Sequence, residues 1–162
     1  MKIAFKMETY NILSIDEFKT NIGNNSRLLG IDPGMKNIGF AICDENKRVA
    51  TPLKIIQKSK FVSLIKEINE IIRENEIKGI IIGNPINMDG SVGKSSQSAS
   101  DFAKNLSKNI TIPITMRDEP LSSEGRFKLT RELGTNVTNR RKKLDRNAAA
   151  FILQGAIDYL SN

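Results

Sequence analysis

The segment Gly79-Ile80-Ile81-Ile82-Gly83 constrains this chain more than any other. Three consecutive β-branched residues between glycines read as a strand, and neighbouring side chains of a strand point to opposite faces. A strand that is apolar at every position needs cover on both faces, so it belongs centrally in a sheet with helices above and below. Its flanks supply the cover. Phe61, Leu64, Ile65, Ile68 and Ile72 recur at helical spacing with charges between them and predict an amphipathic helix over 60–75. A second helix is expected over 95–108 and a strand over Thr111–Met116. Upstream, Leu28–Ile31, Ile38–Cys43 and Val49–Ile56 read as three strands joined by tight turns, most simply an antiparallel meander. Downstream, Pro120 suits the first residue of a helix running to Leu133, with Gly134 as its stop. Residues 135–144 are polar and basic without a period and read as a mobile loop, after which Asp145–Leu160 forms a final helix. Meander first and βαβ after gives an α/β fold with a mixed sheet and helices on its faces.

A length of 162 residues fits one domain. Residues 1–26 read as an N-terminal extension and linker. Ser14-Ile15-Asp16-Glu17 has capping-box spacing before a short helix, and Asn21–Ser26 is turn-rich. The organised domain is expected over 27–162. The longest apolar run, Ala148–Leu153, is far short of a membrane span, and the N-terminus lacks a signal-peptide core. With one cysteine, Cys43, expected to serve packing, these features predict a cytoplasmic protein without a membrane partner.

Histidine is absent. Cys/His zinc sites, Ser-His-Asp hydrolysis and Cys-His proteolysis therefore lack their parts. Any catalysis falls to carboxylates, lysines, hydroxyls or a bound metal. The net charge is +7, and the stretch from Pro120 to Arg146 holds eight basic and three acidic residues. Basic charge concentrated in this way points to a polyanionic partner. With seven Phe, two Tyr and no Trp, recognition by phosphate contact is expected ahead of base stacking.

Three sets of carboxylates stand at element ends. Asp32 closes the first strand of the meander, where an open α/β sheet binds ligands. Asp118 and Glu119 follow the strand at 111–116 and serve equally well as metal ligands or as helix caps. Asp145 opens the last helix beside Arg140, Arg141, Lys142 and Lys143. Clustered acids repel unless a cation neutralises them, and hard oxygen ligands suit Mg²⁺ or Mn²⁺. Acids for metal beside bases for phosphate describe a nuclease. Lys36, in the turn after Asp32, and Arg146 join the basic run as candidate nucleic-acid contacts. Gly90-Ser91-Val92-Gly93-Lys94-Ser95 looks like a nucleotide-binding loop, but that motif requires glycine at 88, which is Met.

Four motifs in order resemble one family. Leu29-Gly30-Ile31-Asp32-Pro33-Gly34-Met35-Lys36-Asn37-Ile38-Gly39 resembles the opening of the YqgF (RuvX) family of RNase H-like nucleases. Ile82-Gly83-Asn84-Pro85 is similar to its central G-x-P loop, Asp118-Glu119-Pro120-Leu121-Ser122 to its D-E-R-L-[ST] motif, and Asp145–Gln154 to its closing helix. The resemblance implies an RNase H-like fold, a five-stranded mixed sheet whose first three strands are antiparallel, with helices on both faces. It implies that Asp32, Glu119 and Asp145 are the catalytic, metal-binding acids, and it selects Glu119 from the 118–119 pair. It also implies a divalent-metal-dependent endonuclease processing precursor 16S ribosomal RNA. The alternatives are a Holliday junction resolvase acting on structured DNA, or a non-catalytic nucleic-acid-binding module. Pro120 stands where the family usually has Arg, so one cation beside the site is missing. A resolvase requires two sites related by a two-fold axis. The sole candidate dimer surface, Phe151, Tyr159 and Leu160, reads equally well as core, so a monomer or weak dimer is expected.

Overall fold

A computed structural model describes residues 11–120, except 88, 90 and 92, and residues 137–161; for residue 120 and for 137–147 the backbone alone is described. The strands are β1 (Ile12–Leu13), β2 (Arg27–Pro33), β3 (Asn37–Cys43), β4 (Ala50–Gln57), β5 (Ile77–Ile86) and β6 (Ile114–Pro120). The helices are α1 (Ile15–Ile22), α2 (Phe61–Glu74), α3 (Lys94–Ser107) and α4 (Val137–Leu160). The strands form one sheet in the order β1-β6-β5-β2-β3-β4. β2, β3 and β4 are the expected antiparallel meander, while β5 runs parallel to both β2 and β6.

Ile80, Ile81 and Ile82 are fully buried, as a strand apolar at every position requires. Alternation divides them between two cores. Ile80 and Ile82 join Leu29, Ile31 and Phe40 under α2 and α3, which contribute Leu64, Ile68, Ala103 and Leu106. Ile81 joins Leu28, Ala41 and Cys43 under α1 and α4, which contribute Phe18, Ile22, Ile152, Leu153 and Ile157. Cys43 is a packing residue: burial pushes its thiol pKa up, and its sulfur accepts from the Leu28 amide at 3.3 Å.

The sheet has six strands rather than five because the segment before Arg27 supplies one. Residues 11–26, expected to be extension and linker, pack into the fold. β1 pairs in parallel with β6. Ser14 caps α1 by accepting from the Glu17 amide. Phe18 is fully buried, its ring seated where a side chain on Gly79 would clash. The sequence hides this because a two-residue strand and an eight-residue helix carry too few residues for a periodic signal.

Two downstream expectations change. Pro120 ends β6 instead of opening a helix, because β5 extends to Ile86 and offers β6 a parallel partner throughout. The rest of the helix expected to reach Leu133 lies outside the described residues. The last helix begins at Val137, so 137–144 are helical and residue 145 lies in its third turn rather than at its start. Arg and Lys are good helix formers, and a helix turn without an apolar stripe shows no period in sequence.

If α1 belongs to the core, Phe18→Ala lowers unfolding free energy by about 3–5 kcal/mol, measured by urea denaturation. A change below about 0.5 kcal/mol would mean that the segment is a dispensable appendage.

Candidate active site

β2, β5 and β6 all end at one edge of the sheet. Asp32 lies within β2, paired with Gly39 of β3, and its carbonyl accepts from the Gly34 amide at 2.9 Å. The aspartate is thus fixed by the ladder rather than by a turn. Alternation puts it on the face of Leu28 and Gly30, beneath α4. In the parallel register Gly83 stands beside Arg117 and Pro85 beside Glu119. Asp32 and Glu119 therefore flank β5 on its two sides, two strand spacings apart across the sheet and two residues apart along it, or roughly 12 Å between backbones. Between them Ile152 of α4 occupies the space that a side chain on Gly83 would take.

The geometry separates the two acids that the sequence left equivalent. Asp118 belongs to the α3 side, where the Asn84 side-chain amide donates to it at 2.7 Å and the Ser96 hydroxyl donates to Asn84, also at 2.7 Å. This chain ties β6 and β5 to the first turn of α3. Glu119 lies on the α4 side, its side chain 13% exposed, with Oε1 3.4 Å from Nε of Arg117. That contact is one of charge, since the buried Nε makes no directed hydrogen bond. Arg117 also lies against Gly155, with its guanidinium 5.9 Å from the Tyr159 ring centre. Arg117 and Asn84 were missed in sequence; the available signal was strand alternation, which puts 117 and 119 on one face and 118 on the other.

α4 runs from this edge toward the opposite one. The Ala149 carbonyl lies over Gly30, and Gln154 accepts from the Ala50 amide at the start of β4. Residue 145 is seven positions before Ile152, hence two turns nearer the edge that carries Asp32 and Glu119. The side chains of Asp145, Arg140, Arg141, Lys142, Lys143 and Arg146 lie outside those described. Lys36 is exposed in the β2–β3 turn, and its carbonyl accepts from the Lys58 amide at 2.8 Å. Among the described residues no group of three or more acids or cysteines could hold a metal ion. Where the apparent nucleotide loop begins, the Asn87 amide donates to the Ser91 carbonyl and the Ser91 amide to the Asp89 carboxylate. These bonds to Asp89 hold its carboxyl below the usual range. Phe151 and Tyr159 are exposed, whereas Leu160 belongs to the core. No helix among the described residues is long and apolar enough to cross a membrane.

A mixed sheet with a leading meander, helices on both faces and acids at the carboxyl edge is the RNase H-like α/β arrangement. A family model described as "RuvX: Holliday junction resolvase" matches residues 26–159, and the chain belongs to this family. A Pelagibacter ubique protein named "Putative pre-16S rRNA nuclease" is 51% identical over 151 residues, covering 93% of this chain and 100% of that one. A Ruegeria pomeroyi protein of the same name is 42% identical over 149 residues, covering 92% and 97%. Among solved structures, the yeast mitochondrial Holliday junction resolvase Ydc2 aligns at 14% identity and a TM-score of 0.49, covering 91% of this chain and 84% of that one.

The charge contact between Arg117 and Glu119 sets a measurable expectation. Arg117→Met keeps the stem over Gly155 but removes the cation, costing about 1 kcal/mol. Adding Glu119→Gln recovers part of that loss, giving a coupling of at least ~0.5 kcal/mol in a double-mutant cycle. Strict additivity would show that the two side chains do not interact.

Proposed function

We propose that the protein is a divalent-metal-dependent nuclease that hydrolyses phosphodiester bonds in precursor 16S ribosomal RNA. The observation that carries this reading is the placement of Asp32 and Glu119 on one face of one sheet edge, toward which the first turns of α4, bearing residue 145, extend. The name shared by the Pelagibacter and Ruegeria relatives supports the choice of RNA.

The donor chemistry fits Mg²⁺ or Mn²⁺, since carboxylate oxygens held on strands are hard ligands with little freedom to rearrange. Asp32, Glu119 and Asp145 would hold the ion. When bound, it supplies positive charge to the phosphodiester and makes water a nucleophile at neutral pH. Water's oxygen bonds to phosphorus, and the bond from phosphorus to the 3′ oxygen breaks. Asp32 is held by ladder pairing with Gly39 of β3, one residue beyond the last pair of β2 with β5, and Arg117 restrains Glu119, so both acids meet the substrate with little reorganisation. Lys36, Arg140, Arg141, Lys142, Lys143 and Arg146 are assigned to phosphate binding.

The testing experiment is cleavage of a labelled panel of precursor RNA, duplex and four-way junction with Mg²⁺ or Mn²⁺. Precursor RNA is expected to be cut by a monomer or weak dimer, its mass checked by light scattering. Asp32→Asn, Glu119→Gln and Asp145→Asn each abolish cleavage while the melting curve shows a folded protein. Full activity in two of the three sinks the assignment. Paired symmetric nicks in the junction by a stable dimer, with precursor RNA ignored, would establish the resolvase that the matched family description names.

The basic residues have their own test. Replacing Arg140, Arg141, Lys142 and Lys143 by Ser flattens the log–log salt dependence of binding by roughly 0.7–0.9 for every phosphate those side chains neutralise. An unchanged slope would make the run a solvated surface.

A further inference from the structure

A groove opens on the other face of the sheet, beside the same edge. Its end wall is Pro33 and Gly34, so it begins at most ~7 Å of chain from Asp32. Its floor includes Phe61 of α2 and Phe102 of α3, packed edge to face with ring centres 6.4 Å apart. Its rim carries Lys58 on one side and Asp101 and Asn105 of α3 on the other. The cavity volume is about 240 Å³, below the ~300–1,000 Å³ of clefts that take drug-sized ligands, so its occupant is of the size of a single planar ring system. Two features narrow the occupant. The Lys58 amide donates to the Lys36 carbonyl, so the backbone at the groove's mouth is tied to the β2–β3 turn that follows Asp32. Asp101, whose carboxylate accepts from the Gln97 side-chain amide at 3.1 Å, and Asn105 line the groove together with the two rings, so hydrogen-bonding groups stand beside apolar surface of the kind that meets the plane of a base.

We propose that this groove takes one nucleobase of the strand whose phosphate lies at Asp32, as a single-stranded nucleotide subsite. The inference rests on the nuclease reading and adds how the substrate is gripped. The strand crosses the β2–β3 turn with phosphates along Lys36 and Lys58, and a base unstacked from its neighbours enters beside Phe102. Duplex RNA, whose bases remain stacked, gains nothing from the groove. The groove thereby confers a preference for unpaired RNA that resides in α2 and α3, across the sheet from α4.

The test is binding of fluorescent single-stranded oligoribonucleotides to the full chain in EDTA, which prevents cleavage. One probe carries normal bases and the other is an abasic backbone of equal length. The wild type is expected to bind the normal probe about tenfold or more tightly than the abasic one. Ser98→Trp, which fills the groove from an exposed rim position, and Asn105→Ala each shrink that ratio toward one and leave abasic affinity unchanged. Equal wild-type affinity for the two probes overturns the groove assignment while leaving the nuclease reading standing. A base-dependent gain that survives Ser98→Trp also overturns it, since the base is then read elsewhere. Failure to bind either probe overturns the groove assignment, and the nuclease reading then rests on the cleavage panel alone.

Discussion

The fold and the site both depend on how closely α4 lies against the sheet. Gly30 and Gly83 have no side chains, and Leu153 and Ile152 occupy the space that a Cβ on each would need. That approach lets a 24-residue helix cross β2 and β5 with Ala149, Ile152, Leu153, Ala156 and Ile157 buried. It also fixes the axis along which the helix continues past the core. The turns before Ala148 extend toward the edge where β2 and β6 end, so one packing contact directs the backbone of residue 145 toward the edge that carries Asp32, more than a hundred residues earlier in sequence.

A second constraint is the divided labour of the central strand. Ile80, Ile81 and Ile82 feed two cores, and their neighbours on β2 and β6 inherit the same alternation through parallel register. Alternation decides what each edge residue can do. Asn84 and Asp118 fall on the α3 side and close a hydrogen-bonded chain to Ser96, a structural use of a carboxylate. Arg117 and Glu119 fall on the α4 side, where a guanidinium stands beside the candidate ligand. Pro120 occupies the position of the family's usual arginine, and Arg117 puts a cation beside Glu119 from the preceding position on the same face. The two faces of one edge thereby acquire different surroundings: restrained acids on one, and on the other an aromatic-floored groove that starts at the Asp32 turn.

The N-terminal segment shows how little sequence signal a packed element can carry. β1 has two residues, yet it covers the outer edge of β6, and Asn11 donates to the Ile110 and Ile112 carbonyls just before that strand. Phe18 and Ile22 fill the gap over Gly79. Nothing in a window around Phe18 distinguishes a core anchor from an apolar residue on a loose arm, because the partner that buries it is sixty residues away.

The sequence by itself determined the layer architecture, the meander and the parallel crossover, because each follows from local period, and it offered the candidate acids through their places near element ends and through the family resemblance. The tertiary structure alone decided four things. β5 and β6 extend each other to Ile86 and Pro120, since a strand's length is set by whether a neighbour offers hydrogen bonds. α4 starts at Val137, since polar turns of a helix leave no apolar stripe to read. Asp118 and Glu119 part to opposite faces, since adjacent strand residues never share one. Residues 11–26 join the core, since burial is a property of the partner surface as well as of the chain that covers it.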